Sequence, residues 1–242
     1  MPSVTLQAVV LRFANYREHD RMLTLLSPEQ GRIDVLARGC RRPKSPLLPI
    51  SEPFVHGEFV LYQSGDRYTV TSGAIADTFY PLRLDADRLT CASYLLGLCQ
   101  AAVQPGESAP ELYRLLLQGL YHLAYCEQEN PLSILAAFLL LFADLLGYRP
   151  RMNHCAHCRK VLSLEAGALL DISAGGLVCQ DCGSGAIYRL LPEQVRWMQS
   201  TLQSGLTEEA QQKTDASLMV SALRRYVESR LETSIKAGRL LP

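Results

Sequence analysis

Four cysteines in two pairs are the residues best suited to chemistry in this sequence. Cys155 and Cys158 are separated by two residues, as are Cys179 and Cys182, and twenty residues lie between Cys158 and Cys179. A two-residue gap lets the chain turn back so that both thiolates of a pair reach one ion, and two such knuckles complete a tetrahedral sulfur shell. The spacing predicts one structural Zn2+ per chain, with four protein ligands and no position open to water. Redox-active dithiols and unliganded core cysteines stay open as other readings. The redox reading needs only one pair, and neither pair follows a convincing strand at the start of a long helix. His154 and His157 stand beside the first pair, so exchange of one histidine for one cysteine ligand also stays open. Cys40, Cys91, Cys99 and Cys126 lack metal spacing and read as apolar filler.

Catalytic constellations are absent from the pattern: there is no glycine-rich phosphate loop, no nucleophile elbow and no H-E-x-x-H. His19 with Asp20 reads as a surface or turn pair. His56 and Glu58 share one face of a strand but make neither a metal site nor a triad, and His122 reads as a core or boundary histidine. The expectation is a protein that is not an enzyme. Binding is the alternative, and charge distribution points to where. Basic and acidic residues balance at 24 each, and twenty of the basic residues are Arg, a type suited to bidentate phosphate contacts. Between Arg32 and Lys44 stand Arg32, Arg38, Arg41, Arg42 and Lys44 against the single acid Asp34. A second basic cluster, Arg224, Arg225 and Arg230, lies near the C-terminal end. Either cluster also reads as an ordinary solvated surface.

The elements that position these residues fall into two compositions. Residues 1–80 read as five short strands, at 5–13, 21–26, 32–37, 54–62 and 68–72, with a hairpin turn at Ser64-Gly65-Asp66. Five strands in so short a stretch favour a small closed barrel, because an open sheet would expose its edges. The run from Gly39 to Pro46 has no strand period and reads as a mobile, proline-extended loop at the barrel rim. Phe13, Tyr16, Phe59, Tyr62 and Tyr68 are candidate stacking platforms, most of them expected to be core.

From residue 81 the pattern is helical. One helix is expected over 83–102 and another from Pro110 to Cys126. A third is opened by Asn130 and Pro131 and stopped by Gly147. This third helix is apolar almost all round and should be central, with Phe138 and Leu139 or Leu141 and Phe142 inaccessible. Residues 168–172 and 175–178 read as a small hairpin carrying the second knuckle. Further helices are expected over 193–202 and 216–237, the last capped by Asp215 or Thr214 and stopped by Gly238. The fold class is mixed β and α: a barrel over 1–80, then a helical domain over 81–242 with a zinc module at about 151–187 inserted. The apolar window from Leu132 to Leu146 is too short for a membrane span and is broken by Asp144. No secretory leader pattern opens the chain, and metal thiolates with free thiols fit a reducing cytoplasm.

The N-terminal text VVLRFANYREHDRMLTLLSPEQGRIDVLARGCRRPKS resembles the opening of the RecO family of bacterial recombination mediators. The likeness is carried by Tyr16 with Glu18, the turn ending at Gly31, Arg38-Gly39 followed by basic residues, and Lys44-Ser45. SEPF at 51–54, the apolar helix ending LLGYRP, and CAHC with CQDC follow in the family's order. Some relatives lack the cysteines; this chain keeps all four. The resemblance implies an oligonucleotide-binding (OB-fold) barrel, a helical domain and a zinc module. It also implies binding and annealing of single- and double-stranded DNA, and cooperation with RecR. Interaction with the acidic tail of single-stranded DNA-binding protein (SSB) and indirect service to RecA at gaps and breaks belong to the same implication, as does a cytoplasmic, nucleoid-associated location. Without the resemblance, a zinc-stabilised protein–protein adaptor that does not touch DNA ranks almost equal.

Overall fold

The computed structural model describes residues 3–126, 130–163, 167–183, 188–207 and 215–242. By packing, the chain divides into two compact units, Met1–Leu84 with Leu95–Leu120, and Asp85–Tyr94 with Tyr121–Pro242. Among the described residues no helix is long and apolar enough to cross a membrane.

The first unit is built on five strands: β1 (Ser3–Tyr16), β2 (Asp20–Ser27), β3 (Gly31–Ala37), β4 (His56–Ser64) and β5 (Arg67–Asp77). They close in the order β1-β2-β3-β5-β4, the order of an OB-type barrel. Closure needs β1 to serve two partners. Its first half, Ser3 to Val9, pairs with β4, and Val9 to Tyr16 pairs with β2, with a register shift between Val10 and Arg12 where the strand bends. The short parallel contact of Val35 and Leu36 with Tyr68 and Thr69 completes the ring. Period-two alternation sends Leu6, Ala8 and Val10, then Leu23 and Leu25, then Ile33, Val35 and Ala37 into one core with Phe59, Leu61 and Val70. The helical stretch 95–120 belongs to this same unit. It holds the β2–β3 turn, where the amide of Ala109 and the hydroxyl of Ser108 both donate to the Pro28 carbonyl at 3.0 Å.

The rim loop is not extended. Residues 38–46 are wound into consecutive turns that lead into a four-residue helix, α1 (Leu47–Ile50). Backbone bonds from Arg42 to Gly39, Ser45 to Arg42 and Leu48 to Ser45 hold the turns. Proline restricts its own φ but does not oppose turns, so the prolines here punctuate the loop rather than straighten it.

The second unit contains the first part of α2 (Ala86–Ala102), the end of α3 (Pro110–Tyr125), and α4 (Pro131–Leu145), α5 (Pro192–Ser204) and α6 (Ala216–Leu231). Arg88 is buried, and its guanidinium donates to the carbonyls of Leu123 (2.7 Å) and Cys126 (3.3 Å). α4 begins where the Asn130 side chain accepts from the Leu132 amide at 2.9 Å. It ends at Gly147, whose positive φ allows Tyr148 N–H to donate back to Ala143 O at 2.8 Å. Between those caps ten residues are buried, and the rings of Phe138 and Phe142 stack 5.9 Å apart. Leu141 is only half-buried.

Two other features differ from expectation. The cysteine hairpin, β6 (Ala168–Asp171) with β7 (Gly176–Val178), gains a third strand, β8 (Tyr188–Leu190), too short to carry a readable period. The last helix stops at Leu231, not near residue 237, because Glu232 turns left-handed and Thr233 N–H closes on Glu228 O. Gly238 lies in a following 3-10 turn instead, packed so tightly on the Tyr94 ring that a Cβ would approach it to 2.8 Å. Asp215 is the cap of α6, accepting from Leu218 N–H at 3.2 Å; Thr214 lies outside the described residues, as do 184–187 of the cysteine module.

Because Phe138 and Phe142 are fully buried, truncating either to Ala should cost about 3–5 kcal/mol, while Leu141→Ala should cost distinctly less. Urea unfolding of the three variants checks this, and equal small losses at all three positions would reject a central α4.

Candidate metal centre and nucleic-acid interface

The four cysteines come together as their spacing predicts. The Sγ atoms of Cys155, Cys158, Cys179 and Cys182 all lie within 4.8 Å of one another, and neither His154 nor His157 belongs to the cluster. Cys155 is buried at its base and Cys158 is exposed. Tight knuckle geometry aims backbone amides at sulfur: the N–H groups of Cys158 (3.5 Å) and Cys179 (3.4 Å) both donate to Cys155 Sγ. The Cys158 and Cys179 sulfurs are 3.8 Å apart. A sulfur tetrahedron around an ion at about 2.3 Å has edges of about 3.8 Å, so the donor set fits a closed tetrathiolate metal site.

Charge supports the same reading. Burial pushes the Cys155 thiol up, but the amides of Cys158, Cys179 and His157 outweigh it and bring the group down to about 6. Cys182 is pushed up to about 12, first by its thiol contact with Cys179 and then by that with Cys158. Thiols so close ionise together only around a cation. A bound ion would supply that charge and join the two knuckles.

The surrounding residues brace the cluster. His157 lies outside the sulfur cluster, with its Nε2 3.1 Å from Asp171 Oδ2. Asp171 caps the β6–β7 turn, accepting from Ser173 Oγ (2.6 Å) and Ala174 N–H (3.0 Å). From α6, Tyr226 donates its hydroxyl to Tyr148 O (3.0 Å) and approaches Gly175 O (3.4 Å), and Arg230 donates to Ile172 O at 2.7 Å. Arg230 therefore supports the hairpin with one of its guanidinium nitrogens. Its neighbour Arg224 donates to Pro242 O, and Arg225 is exposed.

On the barrel, the structure separates the basic residues that the sequence lists together. Arg32 sits at the β2–β3 end and donates to Gln100 O at 2.9 Å. Arg38 leaves β3 at the opposite end, about 20 Å away along the strand. There Arg38, Arg41, Arg42 and Lys44 are all exposed, and their loop is laced to the β1–β2 turn. Gly39 N–H donates to Asp20 Oδ1 (2.7 Å), Arg41 N–H to His19 O (3.0 Å), and the Arg41 guanidinium to Glu18 O (3.0 Å). Asp20 is thus a tether for the loop, not half of an acid–base pair.

That lacing brings in one residue that charge counting along the loop missed. Arg17, at positive φ in the β1–β2 turn, places its guanidinium 5.2 Å from the ring of exposed Tyr16. The signal was available as a basic–aromatic pair at a turn, but only strand pairing shows that it joins the Arg38–Lys44 loop. The other candidate platforms separate. Phe13 is covered by the Arg21 guanidinium at 3.7 Å, Phe59 is core and Tyr68 packs against that core. Tyr62 is exposed at the other end of β1, opposite Ser3.

A closed barrel of OB order, basic and aromatic at one rim, followed by helices and a four-cysteine cluster able to hold a metal ion, places the molecule among OB-type barrel proteins with a helical region. The comparisons narrow this. Residues 1–79 match the model described as Recombination protein O N terminal, and residues 83–239 match Recombination protein O C terminal. The chain belongs to the RecO family. It is 32% identical over 176 residues to "DNA repair protein RecO" of Moorella thermoacetica, covering 73% of this chain and 65% of that protein. The corresponding protein of Acetivibrio thermocellus is 34% identical over 150 residues, 62% of this chain and 59% of that one. That of Desulforamulus reducens is 28% identical over 244 residues, 97% of this chain and 94% of its own length. The matches to the first two therefore span less than two thirds of those relatives.

Metal analysis of protein purified without chelator should find one tightly held ion per chain. Cys155→Ser should abolish it and lower the melting temperature of the helical region, since metal binding is coupled to folding. A metal-free wild-type chain with an unchanged melting temperature would reject the centre. A second outcome concerns acid. Asp171 is held down to about 2, chiefly by the Ser173 hydroxyl and then by the Ala174 amide, against an ordinary value of 3.8. A depressed folded-state value means its stabilisation is present above about pH 4 and lost as pH falls towards 2. The melting difference between wild type and Asp171→Asn should therefore be full at neutral pH and vanish across that window; a constant difference would show that the carboxylate's charge is not involved.

Proposed function

We propose that the chain is a DNA-binding recombination mediator of DNA repair. In this reading it binds single- and double-stranded DNA, anneals complementary strands and, with RecR, helps RecA load onto DNA coated by SSB. The observation that carries the reading is the rim at the β1–β2 end. Four exposed cations, Arg38, Arg41, Arg42 and Lys44, stand on a turn-wound loop tied to Glu18, His19 and Asp20, next in sequence to Tyr16 and Arg17, on a barrel of OB order in a RecO-family chain. Barrels of this kind track a strand's phosphates with basic loops and stack bases on aromatic rings. Tyr16 and Arg17 supply such a ring and a further cation.

Within the same reading, Arg225 offers an exposed cation on α6, while Arg32, Arg224 and Arg230 each devote a guanidinium hydrogen bond to backbone carbonyls. The metal is Zn2+, which suits four thiolates in a closed tetrahedron, and its role is structural. The cooperation with RecR, SSB and RecA follows the family resemblance, and the relatives' printed role in DNA repair supports it.

Replacing Arg41 and Arg42 together by Gln should weaken single-stranded and duplex DNA nearly equally across base sequences, because phosphate contacts carry no base code. For single strands the salt slope should fall by about 1.4, about 0.7 for each lost contact. Annealing should fall in parallel, with metal content and melting midpoint unchanged. Fluorescence anisotropy over a salt series measures this. Wild-type affinity and slope in this variant would remove the rim from the DNA surface, and no DNA binding by the wild-type chain would favour a protein–protein adaptor.

A further inference from the structure

A cleft of about 580 Å³ opens where the segment entering the first knuckle passes α5, lined by residues 149–154 and by Gln199, Leu202 and Gln203. Its size is that of a ligand site. Six of its nine side chains are polar and three apolar, and none of the nine is acidic. Arg149 is occupied by Asp144 through both carboxylate oxygens, with the Nη2–Oδ2 contact at 2.7 Å. Arg151 is exposed, on a backbone fixed at both ends: its N–H donates to Gly175 O (3.1 Å) and its carbonyl accepts from Leu177 N–H (2.7 Å). Gly176 lies so close alongside that a Cβ there would meet the Arg151 carbonyl oxygen at 2.5 Å.

The charge continues beyond the cleft. Cys155 N–H donates to Lys160 O at 2.8 Å and His154 bridges Val161, so the turn bearing exposed Arg159 and Lys160 folds back on the segment that lines the cleft. A compact anion would not use that extension, and three apolar side chains seat little of an apolar peptide. An extended polyanion matches a run of exposed cations, Arg151, Arg159 and Lys160, along this folded-back segment. The planar amides of Asn153, Gln199 and Gln203 can meet sugar hydroxyls or base edges. We propose that this cleft, between the first cysteine knuckle and α5, is a second site for the nucleic-acid backbone, a proposal that rests on the DNA-binding reading above.

The test uses the full metal-loaded chain and a labelled oligothymidylate in a salt series. Arg151→Gln should weaken binding several-fold and lower the salt slope by about 0.7. Gln203→Glu, on α5 and remote in sequence from the cysteines, sets a carboxylate in the same cleft and should also weaken binding several-fold with metal content unchanged. It decides alone if Arg151→Gln loses metal. Wild-type affinity in Gln203→Glu, with loss in the Arg41 and Arg42 variant, overturns the cleft and leaves the rim. Wild-type affinity in every variant overturns both. If Gln203→Glu instead abolishes binding of a labelled acidic peptide while DNA affinity is unaffected, the cleft serves a protein partner and the proposal fails.

Discussion

Four sulfur atoms gathered within 4.8 Å of one another cannot all shed their protons unless a cation sits among them. The local chain is arranged around that constraint. Amides of Cys158 and Cys179 already point at Cys155 Sγ, which favours its thiolate. The strands that bring the knuckles together are only three and four residues long, and strands so short have little independent stability. An ion bound by the four cysteines would join the knuckles.

Hydrogen bonds connect the cysteine hairpin to α6. Tyr226 and Arg230 donate to carbonyls at Tyr148, Gly175 and Ile172, on both sides of the cysteine hairpin. Hairpin closure and the seating of α6 are therefore linked by these bonds, and the cleft beside the first knuckle is shaped by the backbone bonds at Arg151. In the barrel unit the same economy of means appears without a metal. One carboxylate, Asp20, and two carbonyls, at Glu18 and His19, tie a loop of cations to a turn carrying Tyr16 and Arg17. In both units the candidate binding groups stand on irregular segments fixed by a rigid framework, which is the usual division of labour between loops and scaffold.

Much of this was legible in the sequence because it depends on local periodicity and spacing. Alternating apolar residues marked five strands, Asn130-Pro131 and Gly147 bounded the central helix, and the paired C-x-x-C spacing named the four residues that cluster. The family resemblance, carried by motifs in order along the chain, was equally a property of the sequence. The rest required tertiary structure, for physical reasons. Arg32 and Arg38 are six residues apart, yet β3 sends them to opposite ends of the barrel, since an extended strand converts a short separation into a long distance. Arg17 joined the basic loop only through the pairing of β1 with β2 and β3 with β2. Arg230 is engaged by the Ile172 carbonyl and the Phe13 ring is covered by Arg21, contacts that residue type and spacing do not show. β8 was too short to show a period, and the turn-wound loop was hidden because prolines signal irregularity without stating its path. Residue type and spacing decided which groups can bind; long-range pairing decided which of them stand together and which are already engaged.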